Sequence, residues 1–489
     1  MQSDYPAHDA IGLAELVAHR KASARELLDA AIGRAEALNP ALNAIVLNDY
    51  EAARERVRDG ALEGPFAGVP YLAKDLGAAV AGLPLSMGSR HYRDYVPAAD
   101  SPVIALSRAA GLNLFGKTNT SEFGQMPYTE PELFGACRNP WNLDHTPGGS
   151  SGGAAAAVAA GIVPLAHASD GGGSIRIPAS CCGIFGLKPS RNPALASIPH
   201  AGELVVEHAV SRSVRDSALL LDITTGRAGG TGAPDTYLGA LDAPPRPLRI
   251  GYVTDPMFAP ALSADVLAAL DDAAALAASL GHQVEPVALR IDFAQAAEVF
   301  LTIWATIAED VVLGAQQFTG RKPRRGEFEL ASWTMAEVGR RLARARLPDT
   351  LELQRQITVA VASALSHCDV ILCASLAAPP IKIGEMRPTP FENMQMKMLS
   401  ALPIKPLLKE MLAKSSKKAF AWAGCTELFN LTGQPAMSVP LYWTPRGLPI
   451  GTQFVARHGD DALLLQLARQ FELARPWFDK RPPLARAQG

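Results

Sequence analysis

Between Thr146 and Pro178 the chain reads Thr-Pro-Gly-Gly-Ser-Ser-Gly-Gly, then an alanine-rich stretch, then Asp-Gly-Gly-Gly-Ser-Ile-Arg-Ile-Pro. Each of the two glycine-flanked turns presents a serine, Ser150 and Ser174. Glycine adopts turns and close backbone approaches that are closed to other residues. Turns of this kind can therefore offer a hydroxyl among unpaired main-chain N–H groups, which is how an acyl-transfer site is built. Upstream stands a lone lysine, Lys74, in Val-Pro-Tyr-Leu-Ala-Lys-Asp-Leu. The apolar, strand-like approach to it points the ammonium inward. Burial favours the neutral amine, lowering the pKa from about 10.4 towards the range where it can accept a proton.

The surrounding pattern is that of a layered α/β fold. Ser23-Ala-Arg-Glu26 is a capping box that opens a helix with Leu27, Ala31, Ala35 and Leu38 at helical spacing, and Asn39-Pro40 is expected to stop it. Ala44 to Leu47, Leu248 to Val253 and Gln283 to Val287 read as strands, and Ser263 to Leu280 as a capped helix closed by Gly281. This alternation predicts a largely parallel or mixed sheet flanked by helices. With 489 residues, 48% of them hydrophobic, the chain can fill one large core or two ordinary ones, and the Ala/Gly/Pro segment 226–247 is a loop at which two halves could divide.

Charge and cysteine usage exclude several classes. A formal net charge of -2 gives no field that draws in nucleic acid or an anionic membrane, which leaves a small neutral or mixed substrate. The loop 320–325 is basic, but in a chain with no basic excess it reads as solvated surface. The six cysteines form no Cys-x-x-Cys pair and there is no His-Glu-x-x-His, so they read as reduced core thiols and no metal site is expected. The first residues lack a basic start and an apolar h-region, which makes the cytoplasm the expected compartment. The most apolar run, 152–168, is interrupted by Gly161, Pro164 and His167, short of the roughly 20 continuous apolar residues of a membrane span. Between Glu385 and Lys418 the chain turns Met-rich, with Met386, Met394, Met396, Met398 and Met411 among lysines and prolines. Adaptable surface of this kind suits a lid or an oligomer contact, and equally a plain surface helix pair.

Two motif matches compete with the lysine–serine reading. Gly111-Leu-Asn-Leu-Phe-Gly116-Lys117-Thr118 satisfies the phosphate-loop pattern, but such a loop follows a strand and opens a helix. Here a helix over 101–110 comes first and residues 112–115 are the strand. Gly149-Ser-Ser151-Gly-Gly153 matches the nucleophile elbow, yet the turn-like 139–147 offers no strand to lead into it.

On residues 68–76, 115–123, 138–142, 147–153 and 170–189, and again on 430–440 and 447–453, the chain resembles the amidase signature family. The resemblance implies one α/β/α layered domain around a central mixed sheet across residues 1–489, in place of two halves. Within it, 1–60 is an N-terminal helical segment, 61–230 the catalytic signature core, and 386–418 the Met-rich segment that is a candidate lid. By position, Ser174 matches the family nucleophile, Ser150 the bridging serine whose peptide bond is cis, and Lys74 the base. A serine hydroxyl is a weak nucleophile until a base removes its proton, and the relay Lys74–Ser150–Ser174 supplies one without histidine. Gly171, Gly172, Gly173 and the Ser174 amide form the expected oxyanion hole, each such donor being worth about 3 kcal/mol. Asp170 and Arg176 brace the loop, and His145 and His167 are structural. No cofactor is implied, and no nucleic-acid or membrane partner; a homodimer is open.

The sequence departs from the family pattern at Asp-Gly-Gly-Gly-Ser, at Ala154 and at Lys188-Pro-Ser-Arg-Asn-Pro193, which leaves the loop 190–202 without a template. Residues 66–75, 129–132 and 138–142 are most similar to the 6-aminohexanoate cyclic dimer hydrolase subgroup. The resemblance implies a serine amidohydrolase acting on small linear, cyclic or aryl amides or carbamates, with nylon- or urethane-related oligomers within its scope. Gln125 and Met126 are the expected substrate-binding residues; Trp304 and Trp333 are pocket candidates, with core packing the stronger role. Two alternatives stand beside this reading: the glutamine-hydrolysing subunit of a tRNA-dependent amidotransferase, and a non-catalytic binding protein with the same fold.

Overall fold

The computed structural model describes residues 4–58, 60, 62–192, 204–227, 233, 235–401 and 405–486. The capping box closes as expected: Ser23 Oγ accepts from the Glu26 N–H at 3.2 Å and Glu26 Oε2 from the Ser23 N–H at 2.8 Å. The helix it opens, Ala24–Leu42, runs past the expected stop at Asn39-Pro40. Pro40 falls in its final turn, where a missing donor costs one bond, and buried Leu38 and Leu42 hold that turn to the core. The exit is made instead by Asn43 in the left-handed region and by Asn39, whose Oδ1 accepts from the Ala44 and Ile45 N–H groups at 2.8 Å each.

Eleven strands are described, β1 Ile45–Asn48, β2 Pro70–Lys74, β3 Asn113–Thr118, β4 Leu165–Asp170, β5 Phe185–Lys188, β6 Val206–Ser211, β7 Arg249–Tyr252, β8 Gln283–Pro286, β9 Val370–Ala374, β10 Ala436–Trp443 and β11 Pro449–Ala456. Their hydrogen bonds sort them into a three-stranded sheet, β1-β3-β2, and an eight-stranded sheet, β4-β6-β5-β10-β11-β9-β7-β8. The larger sheet is mixed rather than largely parallel, since only β7–β8 and β7–β9 run parallel within it. The β10–β11 hairpin lies between strands from both sides of segment 226–247, pairing Ala436 with Lys188 on one edge and Thr452 with Ala374 on the other. That segment is therefore no break in the sheet.

Strand alternation puts helices on both faces. On β9, Val370, Leu372 and Ala374 pack with the helices Ala264–Ser279 and Asp461–Ala474, whereas Ile371 and Cys373 pack with Phe293–Val312 and Leu347–Ala364. The result is the expected α/β/α layering. All six cysteines are free and buried, as read from the sequence. No helix among the described residues is long and apolar enough to cross a membrane. The Met-rich stretch forms the helices Pro390–Ala401 and Lys405–Ala423, with Phe391, Met394 and Met398 exposed and Met396 buried. Of the untemplated loop, residues 193–202 lie outside the described residues.

Candidate active site

Strand β2 is buried along its whole length and ends on Lys74, whose side chain has no exposed surface. Its Nζ lies 2.7 Å from Ser150 Oγ and 3.0 Å from Ser169 Oγ. No carboxylate is within ion-pairing distance of the amine among the described residues. Burial consequently outweighs the more distant charges of Glu207 and Asp170 and pushes the Lys74 pKa down to about 7. The neighbouring lysine is partnered differently. Lys117, on β3, is consumed in a buried pair with Asp75 at 3.2 Å and a bond to the Pro84 carbonyl at 2.9 Å. The phosphate-loop match thus resolves into a helix Pro102–Ala109, a left-handed Gly111 and a strand, as its order suggested.

Ser150 sits in the turn before the fully buried helix Gly152–Ala159, and the Gly149–Ser150 peptide bond is cis. Glycine is required at 149 because a Cβ there would stand 2.7 Å from the Tyr128 backbone. Ser151, the serine of the elbow match, donates to the Ser169 carbonyl at 3.2 Å, and no strand leads into it. Ser174 lies between β4 and the helix Arg176–Cys182. The first turn rests on the helix that follows Ser174, since Gly148 lies against Ile177 and Pro178. Ser174 is 8% exposed and its hydroxyl makes no hydrogen bond among the described residues. The amine-to-Ser150 contact is therefore formed and the Ser150-to-Ser174 contact is open.

The loop 170–174 is held by an ion pair with no exposed surface. Asp170 Oδ1 accepts from the Gly173 N–H at 2.7 Å, and Oδ2 from the Ile175 and Arg176 N–H groups. Arg176 spends all five of its donors: two on Asp170, and one each on the Thr426 carbonyl, Gln453 Oε1 and Asn430 Oδ1. Burial alone would raise the Asp170 pKa; the charge and hydrogen bonds of Arg176, helped by Lys188 and Asn430, carry it well below the usual carboxylate range. This bracing matches the reading of Asp170 and Arg176. Of the expected oxyanion donors, the Gly173 N–H is spent on Asp170. The N–H groups of Gly171, Gly172 and Ser174 have no acceptor among the described residues.

Sequence reasoning missed Ser169, Thr426 and the purpose of Asn430 and Gln453. The signal for Ser169 was available: it shares one face of β4 with His167, whose Nδ1 accepts from the Lys74 N–H at 3.4 Å and whose Nε2 meets Glu207 at 2.9 Å. His145 has its backbone bridged to Lys382. Among the pocket candidates, Gln125 carries a carboxamide whose oxygen and nitrogen are both buried without a partner among the described residues, and it adjoins Gly124, where a Cβ would be 3.1 Å from Ser150 Oγ. Met126 is tied to Ser121 Oγ through its backbone. Trp304 stacks on Phe300 at 5.7 Å, and the pair covers Gly171 and Gly172. Trp333 instead packs on Phe328, 5.8 Å away.

A buried, charge-poor lysine lies against one serine, and a second serine stands on a glycine loop at the end of a sheet strand; these are groups that acyl transfer can use. The comparisons with known proteins narrow that chemistry. The amidase family model matches residues 26–465. The 6-aminohexanoate-cyclic-dimer hydrolase of Paenarthrobacter ureafaciens is 37% identical over 97% of this chain and 96% of its own. A solved structure of 6-aminohexanoate cyclic dimer hydrolase complexed with substrate superposes with a TM-score of 0.86 at 33% identity, covering 98% and 99% of the two chains. A bacterial aryl acylamidase of the amidase signature family gives 0.81 at 26% identity, with 99% of each chain covered. The chain belongs to the amidase signature family and is an amide-hydrolysing enzyme.

Proposed function

We propose that this enzyme hydrolyses small cyclic or aryl amides through an acyl-enzyme on Ser174, with Ser150 and Lys74 as its proton relay and the whole chain as one catalytic unit. The observation that carries the reading is the Lys74 Nζ to Ser150 Oγ distance of 2.7 Å at a fully buried amine. As Ser174 Oγ attacks the carbonyl, its proton passes to Ser150 Oγ and the Ser150 proton to Lys74 Nζ. This needs the Ser174 hydroxyl to turn onto Ser150 when substrate is seated; catalytic hydrogen bonds commonly tighten at that stage. The N–H groups of Gly171, Gly172 and Ser174 stabilise the oxyanion. Collapse expels the amine, which takes its proton from Ser150 as Lys74 returns one to that serine, and water activated by the same relay frees the acid.

Substrate recognition falls to the Gln125 carboxamide, which has no partner among the described residues, with Met126 adjoining it in sequence, and to the Phe300–Trp304 stack over the glycine loop. The cyclic amide and aryl amide named for the relatives are the matching chemistries. A screen of the purified single chain over anilides, lactams, cyclic dimeric amides and carbamates tests this. Turnover of a cyclic or aryl amide without a partner supports it; release of ammonia from glutamine alone would favour the amidotransferase reading.

The relay also sets a pH profile. Lys74 accepts a proton only as the free amine, so kcat/KM should climb with pH through about 7 and level off above it. A pH–rate series from about 5 to about 9 reads this directly; an ascending limb centred above about 9 would mean that burial does not hold the amine neutral near pH 7, and a flat profile that the amine is not the base.

A further inference from the structure

We infer that Thr426 is a positioning residue that sets the oxyanion loop, an inference that rests on the Ser174 acyl-enzyme reading above. Thr426 is fully buried and lies far along the chain from the glycine–serine turns: it precedes the short helix Glu427–Thr432 and reaches the loop from outside. Its Oγ1 donates to the Gly172 carbonyl at 2.8 Å and lies 3.5 Å from the Ala423 carbonyl. The same peptide unit is gripped at its other end, where the Gly173 N–H donates to Asp170 Oδ1 at 2.7 Å. The two grips are joined, because Arg176 donates to the Thr426 carbonyl at 2.9 Å and to both oxygens of Asp170.

The Gly172–Gly173 peptide is thus fixed at its carbonyl by Thr426 and at its N–H by Asp170, within one hydrogen-bonded ring. Fixing the central peptide fixes its neighbours. The amides on either side, Gly172 N–H and Ser174 N–H, are two of the three left to meet an oxyanion, with Gly171 N–H the third. The fit is tight: a Cβ on Gly173, which has φ +118°, would collide with Thr426 Oγ1. Oxyanion donors act by being held in place before charge develops, so losing the hydroxyl should be felt in the transition state and not in ground-state binding.

The test compares Thr426→Val, which removes the hydroxyl, with Thr426→Ser, which keeps it, on one amide substrate. Thr426→Val should lose about 10- to 100-fold in kcat, the scale of a small misplacement of reacting groups, with KM within about threefold of the parent. The affinity for a boronate inhibitor that forms a tetrahedral adduct should fall in step with kcat/KM. Thr426→Ser should stay within about threefold on every measure. A Thr426→Val enzyme with kcat within about twofold of the parent, a loss borne by KM, or equal losses in both variants would each overturn the inference. If Thr426→Val does not fold by circular dichroism, Thr426→Ala against Thr426→Ser takes its place under the same criteria. Phosphonate labelling of the parent keeps the two claims apart: label on a residue other than Ser174 defeats the underlying reading, whereas label on Ser174 with an unimpaired Thr426→Val defeats only the role of Thr426.

Discussion

Ser174→Ala should lose about 10⁴- to 10⁶-fold in kcat/KM, and Lys74→Ala a loss of similar order, while the double variant should lose little more than either alone. Groups that act as one unit in a single proton transfer are grossly non-additive in this way. Once the nucleophile is gone there is no proton for the amine to take, and once the amine is gone the hydroxyl stays a weak nucleophile. The geometry supports such coupling at its inner link, where the buried amine reaches Ser150 and Ser169 and no carboxylate among the described residues. Steady-state kinetics, normalised to the concentration of folded protein, provide the measurement, with phosphonate labelling as a second readout. Ser174→Ala should take no label and Lys74→Ala should label far more slowly than the parent. If the two losses multiply in the double variant, Lys74 acts in a step separate from Ser174 and the relay is wrong.

What the sequence revealed and what it hid divide along a physical line. Local signals carried through: Ser23 and Glu26 close their box, Ser263 caps its helix by accepting from the Val266 N–H, and Gly111 ends a helix rather than opening a phosphate loop. Short-range patterns are written in adjacent residues. The inward lysine was also legible, because an apolar strand leading to one cation leaves that cation buried. Contacts that join distant stretches were not. Nothing in Asp-Gly-Gly-Gly-Ser announces that Gly173 spends its N–H on Asp170, since that depends on how the turn closes. Asn430 and Gln453 could be matched to family motifs, but their task of filling the Arg176 fork appears only when β11 and the helix after Thr426 are brought to β4. The Asn39-Pro40 stop failed for a related reason: packing of Leu38 and Leu42 outweighed a local breaker. The sheet direction could not be read from alternation alone, because antiparallel hairpins and parallel crossovers both show it.

Arg176→Met should be among the most destabilising single changes, costing about 3–5 kcal/mol, the usual cost of leaving a buried charge without its partner. Neither Asp170 nor Arg176 has exposed side-chain surface, so water cannot take over. The loss should be largest near neutral pH and shrink in acid, and the sign follows from the two carboxyl states. In the parent the Asp170 pKa is lowered, so its stabilisation is present above the unfolded carboxylate pKa and fades as pH falls below it. Without the guanidinium, burial is left to raise that pKa. The variant then carries a penalty at neutral pH that acid relieves by protonating Asp170. Thermal melts of parent and variant at about pH 7 and about pH 4 should accordingly converge on the acid side. Combining Asp170→Leu with Arg176→Met should recover part of the stability while leaving the enzyme inactive, because the charge penalty vanishes and the grip on Gly173 does not return. A gap between parent and Arg176→Met that stays constant across that pH range would mean that the pair contributes through packing rather than through its charges.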